Sequence, residues 1–343
     1  LVAQLQSLGI AVKMLTGDAL EVAREVAREV GLGEVIHAAR LRPTAGAPAA
    51  DAAQLVQQAA GFAEVFPEDK FRVVEALQAA GHVVGMTGDG VNDAPALRQA
   101  EVGIAVSNAT DVAKGAASAV LTTQGLTGIV DLVTNGRSVY QRVLTWIVNK
   151  VSRTILKAGY VVIAFLATGQ FAISALGMIL IVFMTDFAKI ALATDQVQAS
   201  RRPETWNVGP LVIVAVAVGI ALLVETLGLL AFGWHRFGLA EDPGLLQTFA
   251  FQTLLYFALF SLLSIRERRA FWRSRPSLVL AAALAADALI GVLIGVYGLA
   301  DMRPLPVAVT ATIVVSATVC ALGINDGVKL VALALVSRPR RDG

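Results

Sequence analysis

The chain has 343 residues, of which 56% are hydrophobic, and its mean hydropathy is +0.68. That is too apolar for a single soluble domain and indicates a membrane protein. The formal net charge is only +2, so the composition gives no sign of a nucleic-acid partner. The one cysteine, Cys320, can form no internal disulfide, and we expect it to pack in an apolar core. Because the first residue is Leu1 rather than methionine, we expect a piece of a longer sequence or a misassigned start.

Short apolar runs alternate with helical patterns over the first 124 residues. The alternation of strands and helices predicts a parallel, doubly wound α/β sheet. The predicted strands are residues 10–15, 34–37, 82–85, 102–105 and 119–121. The predicted helices are residues 19–30, 52–60, 69–80, 93–100 and 109–117, with a loop at 40–51.

A polar turn follows the third of these strands, within the string Met86-Thr87-Gly88-Asp89-Gly90-Val91-Asn92-Asp93-Ala94-Pro95. It places Asp89, Asn92 and Asp93 between a strand and a helix, at the end of a parallel strand where ligands bind. Hard carboxylate oxygens beside a helix N-terminus suit Mg²⁺ and a phosphoryl group. A lone Asp-Gly pair would more often be an ordinary turn.

Two further polar motifs precede this turn. Thr16-Gly17-Asp18 follows the first predicted strand, and Lys70 lies in Phe66-Pro67-Glu68-Asp69-Lys70, which opens a helix with acidic residues in its first turn. Taken alone, Thr16 and Asp18 would be turn residues and Lys70 a solvated helix lysine. Their order and spacing relative to Asp89 give them a functional interpretation.

The ten-residue string and the order of the three motifs resemble the P-type ATPases, ion pumps that form an aspartyl-phosphate on a haloacid-dehalogenase-like domain. The resemblance implies a catalytic set of Lys70, Asp89, Asn92 and Asp93, with ATP and Mg²⁺ as cofactors. It implies that Asp89 and Asp93 hold or order the metal. It also implies a phosphate-binding set of Thr16, Gly17, Asp18 and Lys70.

Several parts of such a pump are missing from the sequence. It contains no Asp-Lys-Thr-Gly-Thr string, no Thr-Gly-Glu actuator loop, no nucleotide-binding domain and no early membrane spans. We therefore expect the chain to be the C-terminal part of a pump, with the N-terminal part as its partner. By itself it is expected not to turn over ATP.

Six long apolar segments follow, and they predict an all-α membrane domain. Residues 129–166 contain no proline and predict one helix of roughly 35 residues, ~50 Å long, with a basic first half that could also contact lipid headgroups. The other apolar runs are residues 172–194, 208–232, 246–263, 278–297 and 306–336, each near the ~20 residues needed to cross a bilayer. The predicted division is a partial dehalogenase-like domain over residues 1–128 and a stalk with six spans over residues 129–343.

Arginines cluster after every second span, and the positive-inside rule places those loops in the cytosol. This predicts a multi-pass protein of the plasma membrane with the soluble domain and the C-terminus cytosolic. The clusters are Arg201 and Arg202, then Arg266, Arg268, Arg269, Arg273 and Arg275, then Arg338, Arg340 and Arg341.

Ionisable residues inside spans are functional candidates. Lys157 lies ~16 Å and Asp186 ~21 Å along their helices from the first turn between spans, so the two are predicted to meet near mid-membrane as an ion-transport pair. The alternative is a structural ion pair between two helices. For Glu225 and Asp287, lone acids on the third and fifth spans, a structural role is at least as well supported.

The transported ion is predicted from the same pair. A lysine repels Ca²⁺ or Mg²⁺, and the plasma-membrane proton pumps pair an arginine and an aspartate on these two helices, so the sequence resembles that branch. Two further segments share this resemblance: Asp195-Gln196-Val197 through Pro203-Glu204-Thr205-Trp206, and Gly61-Phe62-Ala63. The differences are Lys157 in place of arginine and Thr185 in place of asparagine. The alternatives are a pump for K⁺, Na⁺, Ca²⁺ or Mg²⁺, a membrane-anchored dehalogenase-type phosphatase, and a non-catalytic membrane partner.

Overall fold

The computed structural model describes residues 1–42, 49–197, 200 and 208–336, with the side chains of 49–52 left aside. It divides into two compact units, the first containing Leu1–Arg137 and the second beginning at Ser138. The arginines at 201, 202, 338, 340 and 341, and the segment Pro203-Glu204-Thr205-Trp206, lie outside the described residues.

The first unit is an α/β domain in which all strand pairs are parallel. Its strands form two three-stranded ladders in the orders β1-β3-β2 and β4-β5-β6. The strands are β1 (Met14–Leu15), β2 (Val35–His37), β3 (Gly61–Ala63), β4 (Gly85–Gly88), β5 (Val102–Ala105) and β6 (Ala119–Val120). The helices are α1 (Val2–Ser7), α2 (Leu20–Val30), α3 (Ala49–Gln58), α4 (Pro67–Ala79), α5 (Ala94–Gln99) and α6 (Asp111–Ala116). The alternating parallel architecture predicted from the sequence is confirmed, with two ladders in place of one sheet.

Three strands differ from the sequence prediction by more than one residue, and the first of them, β1, covers only Met14–Leu15 of the predicted residues 10–15. The segment Gly61–Ala63 was predicted only as a motif, yet it is β3, fully buried and central in its ladder. A Cβ at Gly61 would lie 2.8 Å from the backbone oxygen of Met14, so only glycine allows β1 this close. The strand predicted at 82–85 begins later, at Gly85, because Val83 is 82% exposed and contributes nothing to the core. As a result Asp89 directly follows the last paired residue of β4.

The second unit is built from long helices, the first of which begins before Ser138. They are α7 (Gly128–Thr168), α8 (Ala175–Leu192), α9 (Val208–Arg236), α10 (Pro243–Ile265) and α11 (Leu278–Tyr297), then α12 (Val307–Val319), which continues through a π-helical segment (Cys320–Ile324) into α13 (Asn325–Val336). With α12 and α13 counted as one, six helices in the described part of the chain are long and apolar enough to cross a membrane. The six predicted spans are therefore confirmed in number, and the first helix has 41 residues.

Helix α10 lies at the centre of this unit. In its most apolar window 89% of the residues are buried, against 28 to 39% for the other five spans. Its polar side chains bond to its neighbours: Gln252 donates to the Gly291 carbonyl of α11 at 3.0 Å and accepts from Thr310 of α12 at 3.1 Å. These bonds replace water for buried polar groups, which in a membrane must be satisfied inside the protein.

A buried ion pair joins the ends of three helices. Asp195, just after α8, contacts Arg266, just after α10, at 2.6 Å, and their side chains are 1% and 2% exposed. The other oxygen of Asp195 accepts from the backbone N–H of Ser277 at the start of α11, 2.8 Å away, and Arg266 also donates to the Ser274 carbonyl. With its hydrogen bonds satisfied, the pair fixes these three ends relative to one another.

We expect Asp195→Asn to destabilise the protein by about 3 to 5 kcal/mol, because it removes the carboxylate that pairs with the buried guanidinium of Arg266. Asp242→Asn is the matched control, since the Asp242–Arg303 pair has a similar length of 2.7 Å but Arg303 is 69% exposed. An asparagine there still caps α10, so the loss should stay below about 1 kcal/mol. Thermal unfolding in detergent compares the two, and equal effects would contradict the structural role of Asp195.

Candidate functional site

The turn after β4 is organised by Asp93. The chain leaves β4 at Gly88, makes a 3₁₀ turn over Val91–Asp93 and enters α5 at Ala94. One carboxylate oxygen of the buried Asp93 accepts from the backbone N–H groups of Asp89 at 3.1 Å and Gly90 at 3.2 Å. Asp93 therefore holds the backbone that carries Asp89.

Lys70, on the first turns of α4, reaches the same carboxylate. Its Nζ donates to the second oxygen of Asp93 at 2.6 Å, and the two side chains are 20% and 7% exposed. Burial by itself would raise the pKa of Asp93, but the hydrogen bonds from Lys70 and from the backbone N–H groups hold that pKa below its usual value. Asp93 stays ionised and positions Lys70. Its predicted role in ordering a metal stays a prediction.

Asp89 and Asn92 have free side chains. Both are exposed, and within the described part of the chain neither side chain makes a hydrogen bond. The backbone oxygen of Asp89 accepts from the Thr110 N–H at 2.8 Å, which fixes the residue while its carboxylate remains available. The described residues contain no cluster of three or more His, Cys, Asp or Glu side chains. The free oxygens of Asp89 and Asn92 fit Mg²⁺, because this ion usually takes one or two carboxylates and completes its coordination shell with phosphate and water oxygens.

A second device, which the sequence analysis did not assign, fixes the start of α4. The buried Asp69 accepts from the backbone N–H of Phe66 at 3.0 Å and pairs with Arg42 at 2.8 Å, and the Arg42 guanidinium lies 4.2 Å from the centre of the Phe66 ring. Burial would raise the pKa of Asp69, but Arg42 and the Phe66 N–H hold it below the usual value. The available signal was the proline at the first helical position with an acid two residues later.

The loop Thr16-Gly17-Asp18 forms at the end of β1. Its backbone bonds to the chain after β3, with Val65 N–H donating to the Thr16 oxygen and Glu64 N–H to the Asp18 oxygen, both at 3.0 Å. The Thr16 hydroxyl donates to the Asp18 carboxylate at 2.7 Å. No hydrogen bond or ion pair between described residues joins this loop to Lys70 or Asp89. Hydrogen bonds thus link Lys70 and the backbone of Asp89 to Asp93, next to Asn92, and a separate hydrogen bond links Thr16 to Asp18 across Gly17.

Gly88 is the residue that lets Asp93 approach β4. A Cβ at Gly88 would lie 2.5 Å from the Asp93 Cβ and 2.8 Å from its carboxylate oxygen. We expect Gly88→Ala to displace Asp93 and to lower stability by about 1 to 3 kcal/mol. The control is Gly115→Ala in α6, where a Cβ meets nothing within 4 Å and alanine favours the helix. Thermal unfolding measures both, and a Gly88→Ala protein as stable as wild type would refute the close packing.

In the second unit Lys157 and Asp186 form no direct ion pair, although Lys157 is close enough to Asp186 to interact with it electrostatically. Asp186 pairs with Lys189 on the same helix at 2.5 Å, and its side chain is 51% exposed. Lys157 makes no hydrogen bond or ion pair with Asp186 or with any other described residue. The distance of each residue from the turn sets its depth along the helix but not the side of the helix on which it lies. Lys189, missed in the sequence analysis, lies three residues further along α8, where side chains meet without any contact between helices.

Arg153, a basic residue of α7, does not lie on the outer surface of that helix. It is buried in the helix bundle and donates to the Ala258 carbonyl of α10. It is close enough to Asp186 and Asp287 to interact with both electrostatically. The bundle therefore contains a guanidinium one helical turn before Lys157, which the spacing argument did not consider.

Comparison with known proteins gives the family. A family model for haloacid dehalogenase-like hydrolases matches residues 1–101, a second model of that description matches residues 72–133, and the model for the C-terminus of cation-transporting ATPases matches residues 170–331. These ranges cover both units.

Individual relatives agree. A putative cation-transporting ATPase of Methanocaldococcus jannaschii is 34% identical over 339 residues, covering 97% of this chain and 41% of the relative. Plasma membrane ATPase 1 of Schizosaccharomyces pombe is 34% identical over 313 residues, covering 87% and 33%. A plasma membrane ATPase of Dunaliella bioculata is 39% identical over 233 residues, covering 64% and 20%. The chain spans about two fifths or less of the length of these relatives, and it belongs to the P-type cation-transporting ATPases, whose C-terminal part it matches.

Proposed function

We propose that this chain is the C-terminal part of an ATP-driven pump that exports protons. The observation that carries the pump assignment is the Lys70–Asp93 pair beside the free carboxylate of Asp89, at the carboxyl end of a parallel strand. Phosphoryl transfer depends mainly on positioning and charge neutralisation, and these residues supply both.

Each side chain has a proposed task in that chemistry. Asp89, with Asn92 beside it, would hold Mg²⁺, which neutralises charge on a phosphoryl group when bound. Lys70, oriented by Asp93, would contact phosphoryl oxygens. The Thr16 hydroxyl would do the same after turning away from Asp18. The phosphorylated aspartate and the ATP site would come from the rest of the pump, which is the proposed partner.

The charge around Asp186 argues against a divalent ion as the transported ion, and a proton is the cargo that we propose in its place. Asp186 already carries Lys189 at 2.5 Å, and Lys157 and Arg153 lie on the neighbouring helix α7. A carboxylate so surrounded by cations has no negative charge left for a divalent ion. A proton needs only the carboxyl group itself.

For the orientation we propose a cytosolic first unit in a plasma-membrane pump. The arginine-rich loop between α10 and α11, with five arginines at positions 266 to 275, supports a cytosolic location for that loop. Four candidate spans separate the first unit from that loop, and an even number of crossings supports the same side for the first unit.

The test is acidification of proteoliposomes that contain the complete pump, with ATP hydrolysis measured in parallel. We expect ATP-dependent acidification of the lumen that a protonophore abolishes. Hydrolysis that requires K⁺, Na⁺, Ca²⁺ or Mg²⁺ as cargo and moves no protons would refute proton export but keep the pump. Hydrolysis of small phosphate esters without any ion movement would favour the dehalogenase-type phosphatase.

A further inference from the structure

A second carboxyl group lies inside the membrane domain, away from Asp186. Glu225, near the middle of α9, accepts from the Nδ2 of Asn325, the first residue of α13, at 2.8 Å. Asn325 is 1% exposed, and α9 and α13 pack against each other. Glu225 is therefore not the lone acid that the sequence suggested, because it is held between two helices by a buried amide.

Two oxygens at this contact have no partner. Glu225 Oε1 and Asn325 Oδ1 are both buried, and neither has a hydrogen-bond donor among the described residues. No lysine, arginine or histidine of the described chain lies within 4.0 Å of Glu225. The adjacent acid, Asp326, differs in this respect, since Lys329 lies 2.6 Å from it. An ionised Glu225 would thus be a buried charge with one hydrogen bond and no counter-charge, which is costly in a membrane.

The backbone at this position is also unusual. Residues Cys320–Ile324 form a π-helical turn, and the N–H of Asn325 bonds to the carbonyl of Cys320, five residues earlier. Single π turns inside longer helices are rare and occur frequently at functional sites. The turn ends at Asn325, the residue that contacts Glu225.

We propose that Glu225 and Asn325 form a second cation site, which binds one monovalent cation, a proton or Na⁺, through Glu225 Oε1 and Asn325 Oδ1. One carboxylate and one neutral amide oxygen balance a single positive charge, whereas a divalent ion would leave one charge uncompensated. Both donors are hard oxygen atoms, which suit these ions and not softer metals. The site does not require Asp186 to carry the transported ion.

The experiment uses the complete pump in lipid nanodiscs without ATP. Equilibrium binding of radioactive Na⁺ at alkaline pH tests whether the site binds Na⁺. Infrared difference spectra of the carboxyl C=O band during a pH titration test whether it binds a proton. The variants are Glu225→Gln, which removes the charge but keeps the acceptor for Asn325, and Glu225→Asp, which keeps the charge. Asp287→Asn is the matched control, because Asp287 is a buried acid of the same bundle that has the charge of Arg153 nearby.

We expect one Na⁺ site, or one titrating carboxyl band, that Glu225→Gln removes or weakens at least about tenfold, which corresponds to about 1.4 kcal/mol. Glu225→Asp should retain part of it, and Asp287→Asn should leave it unchanged. An Asp186→Asn pump should keep the Na⁺ binding or carboxyl band that depends on Glu225. The experiment therefore tests this site separately from the proposal that Asp186 carries the exported proton. If wild type and Glu225→Gln give the same Na⁺ binding and the same carboxyl bands, the proposal is wrong and Glu225 only holds α13 to α9.

Discussion

Replacing Asp89 by asparagine in the complete pump is expected to reduce phosphoenzyme formation at least about a hundredfold. Asp89 is the one free carboxylate of the turn after β4, and the amide would weaken the proposed Mg²⁺ site without changing the shape of the residue. A bound metal contributes several kcal/mol to stabilising transition-state charge, and each 1.36 kcal/mol is about tenfold in rate. Incorporation of radiolabelled phosphate from ATP measures the effect.

The control for this change is Asp111→Asn. Asp111 is an exposed acid in the first turn of α6, directly after Thr110, whose N–H bonds to the Asp89 oxygen. Its removal deletes the same charge near the site and should change the rate by less than about tenfold, as helix-end charges contribute only about 0.3 to 1 kcal/mol. If the Asp89→Asn pump incorporates phosphate as fast as the Asp111→Asn pump, the proposal that Asp89 binds Mg²⁺ is wrong.

The second large effect concerns transport. Asp186→Asn is expected to abolish the pH gradient in proteoliposomes, because an amide cannot take up and release a proton. The two lysines near Asp186 should affect coupling differently. Lys189→Ala removes the residue that pairs with Asp186, whereas Lys157→Ala removes a charge that makes no direct contact with Asp186. We expect both variants to keep some ATP hydrolysis, with the larger loss of coupling in Lys189→Ala.

The ratio of protons moved to ATP hydrolysed separates these variants. A normal gradient with Asp186→Asn would rule out the carboxyl group as proton carrier. A Lys157→Ala pump with poorer coupling than Lys189→Ala would indicate that Lys157 moves to Asp186 in another state of the pump. The original pairing would then hold in that state and not in the one described.

Features that depend on hydrophobic periodicity and on the order of elements along the chain could mostly be predicted from the sequence. Six spans follow from apolar length, and the parallel architecture follows from alternating strands and helices. The polar turn at Asp89 follows from residue type at a strand end. All of these features are local, or are set by chain order, so a single sequence contains them.

What the sequence could not predict depends on which residues meet across the fold. Strand β3 has only three residues, and its central position arises from two neighbours that are distant in sequence. Lys70 and Asp93 are 23 positions apart, and they pair only because the fold brings α4 beside the turn that follows β4. The partner of Asp186 could not be predicted either, because the depth of a residue along a helix does not determine the side of the helix on which it lies.

The enclosure of α10 has a consequence for how the membrane domain is assembled. This helix carries buried amide and hydroxyl groups, among them Gln252 and Ser264, whose partners lie on segments synthesised after it. On leaving the translocation machinery it would meet lipid with these groups unpaired, and only the arrival of α11 to α13 would cover them. Biogenesis should therefore stall at this helix. Chains truncated after α10 are expected to be retained by chaperones or degraded, while those that extend through α13 pass quality control.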